Sequence, residues 1–112
     1  MYNADNIIYQ CPIEALSNIL GKKWIAAIIW RMNNKKMRFG ELQKCIEGCS
    51  KKMLKQQLEL LIENGIVVNE KKLFNNTVES TYYLSNSGVK LLPIMEKMIC
   101  WSNDNLNCDK HI

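Results

Sequence analysis

Residues 50–65 read SKKMLKQQLELLIENG. The stretch opens on a hydroxyl residue suited to cap a helix N-terminus and closes on Asn-Gly, suited to end one. With Leu54 placed at 0° and about 100° added per residue, Leu58 falls near 40° and Leu61 near −20°. On the same wheel Lys52, Lys55, Gln56, Glu59 and Glu63 fall between about 100° and 200°. The spacing predicts a helix over 50–64 with a leucine face turned inward. Its first two turns hold Lys52, Lys55 and Gln56 outward, with Lys51 beside them. Such a face is either a solvated surface or a surface offered to a polyanion.

Working outward, residues 39–46, FGELQKCI, place Phe39, Leu42 and Ile46 at helical spacing. Residues 23–32, KWIAAIIWRM, form a strongly apolar helix ended by the polar turn NNKK. Residues 12–20, PIEALSNIL, form a short helix with Pro12 at its first position, where the missing N–H costs nothing. Downstream, IVVNEKKLF and VESTYYLS predict a hairpin over 66–84 with its tip at 74–77. Residues 86–106 read as a long amphipathic helix capped by Ser85, with Pro93 inside it, where proline normally kinks or breaks a helix. The expected core is Trp24, Ile25, Ile28, Ile29, Leu42, Leu54, Leu58, Leu61 and Ile62. There is no linker, repeat or low-complexity segment, so residues 1–112 are expected to form a single domain. The class is mainly α with a small β-hairpin (α+β).

Composition narrows the function. The net charge of +4 is uneven: residues 31–55 carry eight cations against Glu41 and Glu47, a local +6. A local basic patch points to a polyanion. No apolar run is long enough to span a bilayer, and residues 1–10 lack the features of a signal peptide, so a cytoplasmic protein with no membrane partner is expected. The five cysteines form no CxxC pair, and an odd count without a secretion signal favours free thiols. With His111 the single histidine, neither a metal site nor a cofactor is expected. No Ser/His/Asp set, glycine-rich phosphate loop or carboxylate pair offers catalytic chemistry, which argues against an enzyme.

Two helices joined by a tight turn near 47–49, the second basic and outward, make a helix-turn-helix, and a hairpin directly after it makes a wing. In that arrangement a helix enters the major groove and flanking lysines meet phosphates.

The chain also resembles the HxlR-type winged-helix transcription regulators of bacteria, relatives of the MarR group. The resemblance rests on Cys11-Pro12-Ile13, Gly21-Lys22-Lys23-Trp24, Arg38-Phe39-Gly40-Glu41-Leu42 and Ser50-Lys51-Lys52-Met53-Leu54. It continues through Gly65-Ile66-Val67, Tyr82-Tyr83-Leu84-Ser85 with Gly88, and Leu91-Leu92-Pro93 with Trp101. The pieces span residues 11–101 in order. The family carries a proline where Pro93 stands. The chain departs from the family at Lys51, where proline is usual, and at Lys55, where threonine is usual. It departs again at Asn75-Asn76, usually proline-rich, and at Thr81, often glutamate. The first two departures add charge to the expected DNA face.

Ser50, Lys51, Lys52, Lys55 and Gln56 are therefore the candidates for DNA contact on the recognition helix. Gln56 is suited to adenine and the lysines to guanine or phosphate. Arg38 is a phosphate contact or a salt bridge, and Gln43 and Lys44 are backbone contacts at the motif's edge. In the wing, Lys71, Lys72, Asn75 and Asn76 either touch DNA or protect a strand edge. Cys11 stands where an N-cap would, and helix N-termini favour thiolate over thiol. The resemblance implies a sensor of oxidants or electrophiles there; plain family architecture is the alternative. Cys45 and Cys49 read as buried small apolar residues, Cys100 as core or interface, and Cys108 as a tail residue. Leu91, Leu92, Met95, Met98, Ile99 and Trp101 exceed what one small core needs, and the family implies a homodimer through them, extended by the N-terminal helix. Such a dimer would read a palindromic site with two helices about 34 Å apart. The residues name no small-molecule inducer. The competing function is a winged-helix protein-interaction module without specific DNA binding.

Overall fold

The computed structural model describes residues 1–106, so Cys108 and His111 lie outside the described residues. The chain begins with β1 (Tyr2–Ala4) and β2 (Ile7–Tyr9), an antiparallel hairpin turning through Asp5 and Asn6, both at positive φ. Sequence reading left this segment without structure, although a polar pair between YNA and IIY is a hairpin signal.

Three helices follow: α1 (Pro12–Leu20), α2 (Ile25–Arg31) and α3 (Phe39–Cys45). Helix α2 starts two residues later than the apolar run suggests. The reason is Trp24, which takes a left-handed conformation with φ of 76° and serves as the N-cap. A bulky side chain there stores strain, of order 1–3 kcal/mol, which surrounding packing has to hold in place. Its ring packs against the core, lies 4.9 Å from the Lys23 ammonium, and leaves Gly48 only 3.3 Å for a Cβ.

Helix α4 (Lys51–Glu63) forms as the spacing requires. Ser50 Oγ accepts a hydrogen bond from Met53 N at 3.1 Å. At the other end Gly65, with φ of 73°, donates to Ile62 O, and Ile66 N donates to Leu61 O, the paired bonds of a Schellman cap. Leu54, Leu58 and Leu61 are at most 1% exposed and share a cluster with Ile25, Ile28, Ile29, Met32 and Leu42. Trp24 and Ile62 pack at that cluster's rim, half-buried.

The wing is β3 (Val67–Phe74) paired antiparallel with β4 (Thr77–Leu84) from Val67 opposite Leu84 out to Phe74 opposite Thr77. Its two-residue turn puts Asn75 and Asn76 at φ of 49° and 62°, as a type I′ turn demands. Met37, between α2 and α3, pairs with Tyr82 through bonds of 2.9 and 2.7 Å. That one-residue bridge ties the wing's root to the helix-turn-helix.

The long final helix divides into α5 (Asn86–Val89) and α6 (Leu91–Asn105), with the break at Lys90 rather than at the proline. Pro93 thereby falls in the first turn of α6, where no helical N–H bond is lost. Ser85 caps α5 through Gly88 N at 3.1 Å, and Ser87 Oγ donates to Gly65 O at 2.8 Å. Gly88 presses on the strand entry: a Cβ there would stand 2.2 Å from Ile66 O. Gly88→Ala is expected to lower stability by roughly 1–3 kcal/mol in urea unfolding at unchanged slope. Gly40→Ala, whose Cβ meets nothing within 4 Å, is the control and should be neutral or slightly stabilising.

Candidate nucleic-acid interface

The apolar packing of α4 decides which side chains it shows. With its leucines turned inward, Lys51, Lys52, Lys55 and Gln56 are all exposed. The neighbouring glutamine is different: Gln57 Nε2 donates to Lys23 O at 3.2 Å and is tied to the body of the protein. Lys51 and Lys52 occupy the first turn of a helix, which carries partial positive charge, and no acidic residue accompanies them there. Among the described residues none of Lys51, Lys52 or Lys55 has a carboxylate partner. An anion placed at this helix start would meet both the lysines and the free N–H groups.

The remaining cations divide between two duties. Arg38 precedes α3, its N–H bonds Glu41 Oε1 at 2.9 Å, and its guanidinium pairs with Glu79 of β4 at 2.9 Å. Of the two roles open to Arg38, the structure shows the salt bridge. Lys36 and Lys72 both reach Glu70 Oε1 at 3.4 Å, and Lys36 also lies 5.0 Å from the Tyr83 ring. The contacts of Arg38 and Lys36 fasten the wing to the segment before α3, whereas that of Lys72 stays within β3. Lys44 and Lys71 are exposed, Gln43 is half-buried, and Asn75 and Asn76 are exposed at the wing tip. Between α4 and the wing runs a cleft of about 340 Å³ lined by Lys55, Leu58, Glu59, Ile62, Asn69, Lys71, Ser80 and Tyr82. Sequence reading missed Glu70, Glu79 and Met37, because carboxylates and a single bridging residue carry no periodic signal.

Cys11 is the residue before α1, half-buried, with no hydrogen bond from its thiol to the helix start. Pro12 and Ile13 beside it line an apolar groove of about 470 Å³ together with Leu16, Leu20, Ile94 and Met98. Cys45 is exposed, contrary to the buried position expected, because the last turn of α3 points it away from Leu42 and Ile46. Cys49 is buried, and that burial pushes its thiol up, partly offset by Lys23. Cys100 is exposed on α6.

The residues expected at a dimer contact separate by depth. Met95 is 5% exposed and belongs to the chain's own core, so it has little surface left for a partner. Leu91 and Leu92 pack half-buried against that core, whereas Met98, Ile99 and Trp101 are exposed, as are Ile94 and Ile13.

Residues 19–110 match the HxlR-like helix-turn-helix family, and the chain belongs to it. The transcriptional regulator YodB of Bacillus subtilis is 33% identical over 96 residues, covering 84% of each chain. The solved reduced form of YodB superposes with a TM-score of 0.76 at 31% identity, over 88% of this chain and 97% of that one. The redox regulator HypR in its reduced form gives a TM-score of 0.77 at 29% identity, over 85% and 93%. The fold is a winged helix, and the protein is a helix-turn-helix transcriptional regulator rather than an enzyme. No helix among the described residues is long and apolar enough to cross a membrane.

Glu70 offers a test of the wing's attachment. Desolvation at the strand would raise its pKa, but Lys36 and then Lys72 outweigh it and hold the carboxyl below its ordinary value of 4.5. A lowered folded value stabilises the fold above the unfolded value and ceases to do so as pH falls through the folded one. Glu70→Gln should therefore be less stable than the wild-type protein near neutral pH. That gap should close as pH drops below 4.5, read by urea unfolding of both proteins.

Proposed function

We propose that the chain is a homodimeric, cytoplasmic regulator that reads a palindromic duplex operator with α4 in the major groove. The observation that carries this reading is the set of lysines without a carboxylate partner among the described residues, Lys51, Lys52 and Lys55, at the start of a helix whose opposite face is locked in the core. Ser50 orients that helix start, and Gln56 stands one turn in, where a side chain can reach a base edge. Gln43, Lys44, Lys71, Asn75 and Asn76 are assigned to the flanking backbone. Arg38 and Lys72 are assigned there only in so far as their carboxylate partners release them. The whole chain acts as one domain in this reading.

Exposure of Met98, Ile99 and Trp101 on α6, continuous with Ile94 and Ile13 across the apolar groove, supports pairing of two chains through α6 and α1. Cys11 borders the same surface, so a change at its thiol would be felt by the pairing and by the spacing of the two α4 helices. YodB has been solved reduced, treated with diamide and bound to quinone, and HypR both reduced and oxidised. A thiol-based response at Cys11 is proposed here on that likeness.

Fluorescence anisotropy on the DNA upstream of the protein's own coding sequence tests the reading. Reduced protein should bind tightly, with log affinity falling against log salt by about 0.9 per phosphate met. Lys52→Ala should weaken binding and reduce that slope by about one unit. Binding that collapses on mild oxidation, and does not collapse in Cys11→Ser, supports the switch; binding indifferent to oxidation removes it. No binding even at low salt would sink the groove-reading role and leave a protein-interaction module. Trp101→Glu, exposed within one chain, should shift the protein from dimer to monomer in sedimentation without unfolding it.

A further inference from the structure

We infer that the apolar side chains flanking the Asn75-Asn76 turn of the wing, Phe74 foremost among them, form a wedge that enters the minor groove next to the α4 site and unstacks a base step there. This rests on the DNA-binding reading above and adds a deformation of the operator to it. Leu73, Phe74 and Val78 are 73, 62 and 63% exposed, and Leu73 lies directly opposite Val78 in the ladder. These three large apolar side chains cover both faces of one hairpin tip, Leu73 and Val78 on one and Phe74 on the other, unlike the scattered exposed residues of an ordinary surface.

The hairpin is built to bear load. Its strands pair all the way to Phe74 and Thr77, and the turn beyond them is a tight two-residue turn. Its root is held by the Met37–Tyr82 bridge, by Arg38 on Glu79, and by Lys36 on Glu70. The tip is also aimed. Alternation along the strand puts Leu73 and Val78 on the face that carries Lys71, Ser80 and Tyr82, which line the cleft against α4. Leu73 and Val78 thus continue the surface that bears the α4 lysines, while Phe74, one residue on, projects from the opposite face of the tip beside Thr77. Eight residues of β3 span about 26 Å. Half a turn of B-DNA, the step from α4's groove to the next, is about 17 Å.

Charge selects the occupant. Lys71 and Lys72 stand directly behind the tip, whereas both wing carboxylates are taken, Glu70 by Lys36 and Lys72 and Glu79 by Arg38. A positively charged collar behind apolar side chains suits a groove walled by phosphates, where such side chains insert between base pairs and kink the duplex.

The test uses full-length protein and the duplex upstream of its coding sequence, labelled at both ends for energy transfer and probed with permanganate for unstacked thymines. Wild-type protein should bend the duplex and create reactive thymines flanking the protected segment. Phe74→Ala should abolish both and weaken binding by about tenfold at an unchanged salt slope, and Phe74→Trp should retain them. Lys71→Ala should do the reverse, lowering the slope while leaving unstacking intact. Wild-type binding with neither bend nor reactive thymines, or Phe74→Ala retaining both, overturns the wedge and leaves the DNA reading standing. Absence of wild-type binding to any duplex overturns both. A shift in oligomeric state on Phe74→Ala, with bending unchanged, would assign the tip to contact with a second copy and also overturn the wedge.

Discussion

Everything on the lysine-bearing side of α4 depends on burial of one row of leucines. Leu54, Leu58 and Leu61 sit in a cluster with the isoleucines of α2 and with Leu42 of α3. Full burial contributes about 2 kcal/mol per side chain. A rotation of α4 by one residue, about 100°, would carry Lys55 and Glu59 into that cluster and take their charges out of water. The helix can therefore be seated in one way, and that seating holds Lys51, Lys52, Lys55 and Gln56 outward. The outward row of cations is in this sense a by-product of the core.

The second constraint is electrostatic and acts on the wing. A two-stranded hairpin is marginal alone and takes its direction from what it rests on. Here the support comes from one backbone bridge at Met37 and from cations of the α2–α3 connection that meet Glu70 and Glu79. The cations of the chain are thus of two kinds. Lys36 and Arg38 meet carboxylates and build the frame, whereas Lys51, Lys52 and Lys55, with no carboxylate partner among the described residues, crowd a helix start that by its own dipole disfavours them. A local rule broken in this manner marks a functional site more often than an accident, because an absent ligand supplies the missing compensation. Lys51 and Lys55, two of the positions at which the chain departs from the pattern it resembles, fall among the cations with no carboxylate partner among the described residues.

Sequence reading located the elements carrying strong local signals. Ser50 and the Asn64-Gly65 pair delimit α4, and Asn75-Asn76 between strand-forming runs delimits the wing tip. Where it failed, a longer-range contact had overruled a local preference. Trp24 delays α2 because its ring is wanted in the core. Lys90 interrupts the C-terminal segment next to Gly88, which must approach the Ile66 carbonyl. Cys45 and Cys49, alike in sequence context, end up exposed and buried because the turn between them reverses the chain.

What the sequence by itself determined is the periodic content: the order of helices, the hairpin, the inward row on α4 and the identities of the cations beside it. Periodicity is a property of neighbouring residues and survives without any tertiary information. Only the folded chain decided which cations are spent on Glu70 and Glu79, which of the α6 side chains sink into the core as Met95 does, and which remain outside as Trp101 does. It also decided that Leu73 and Val78 of the wing lie on the α4 side of the hairpin. Those outcomes depend on pairs distant in sequence, whose meeting no local pattern records, and they fix the geometry a partner encounters.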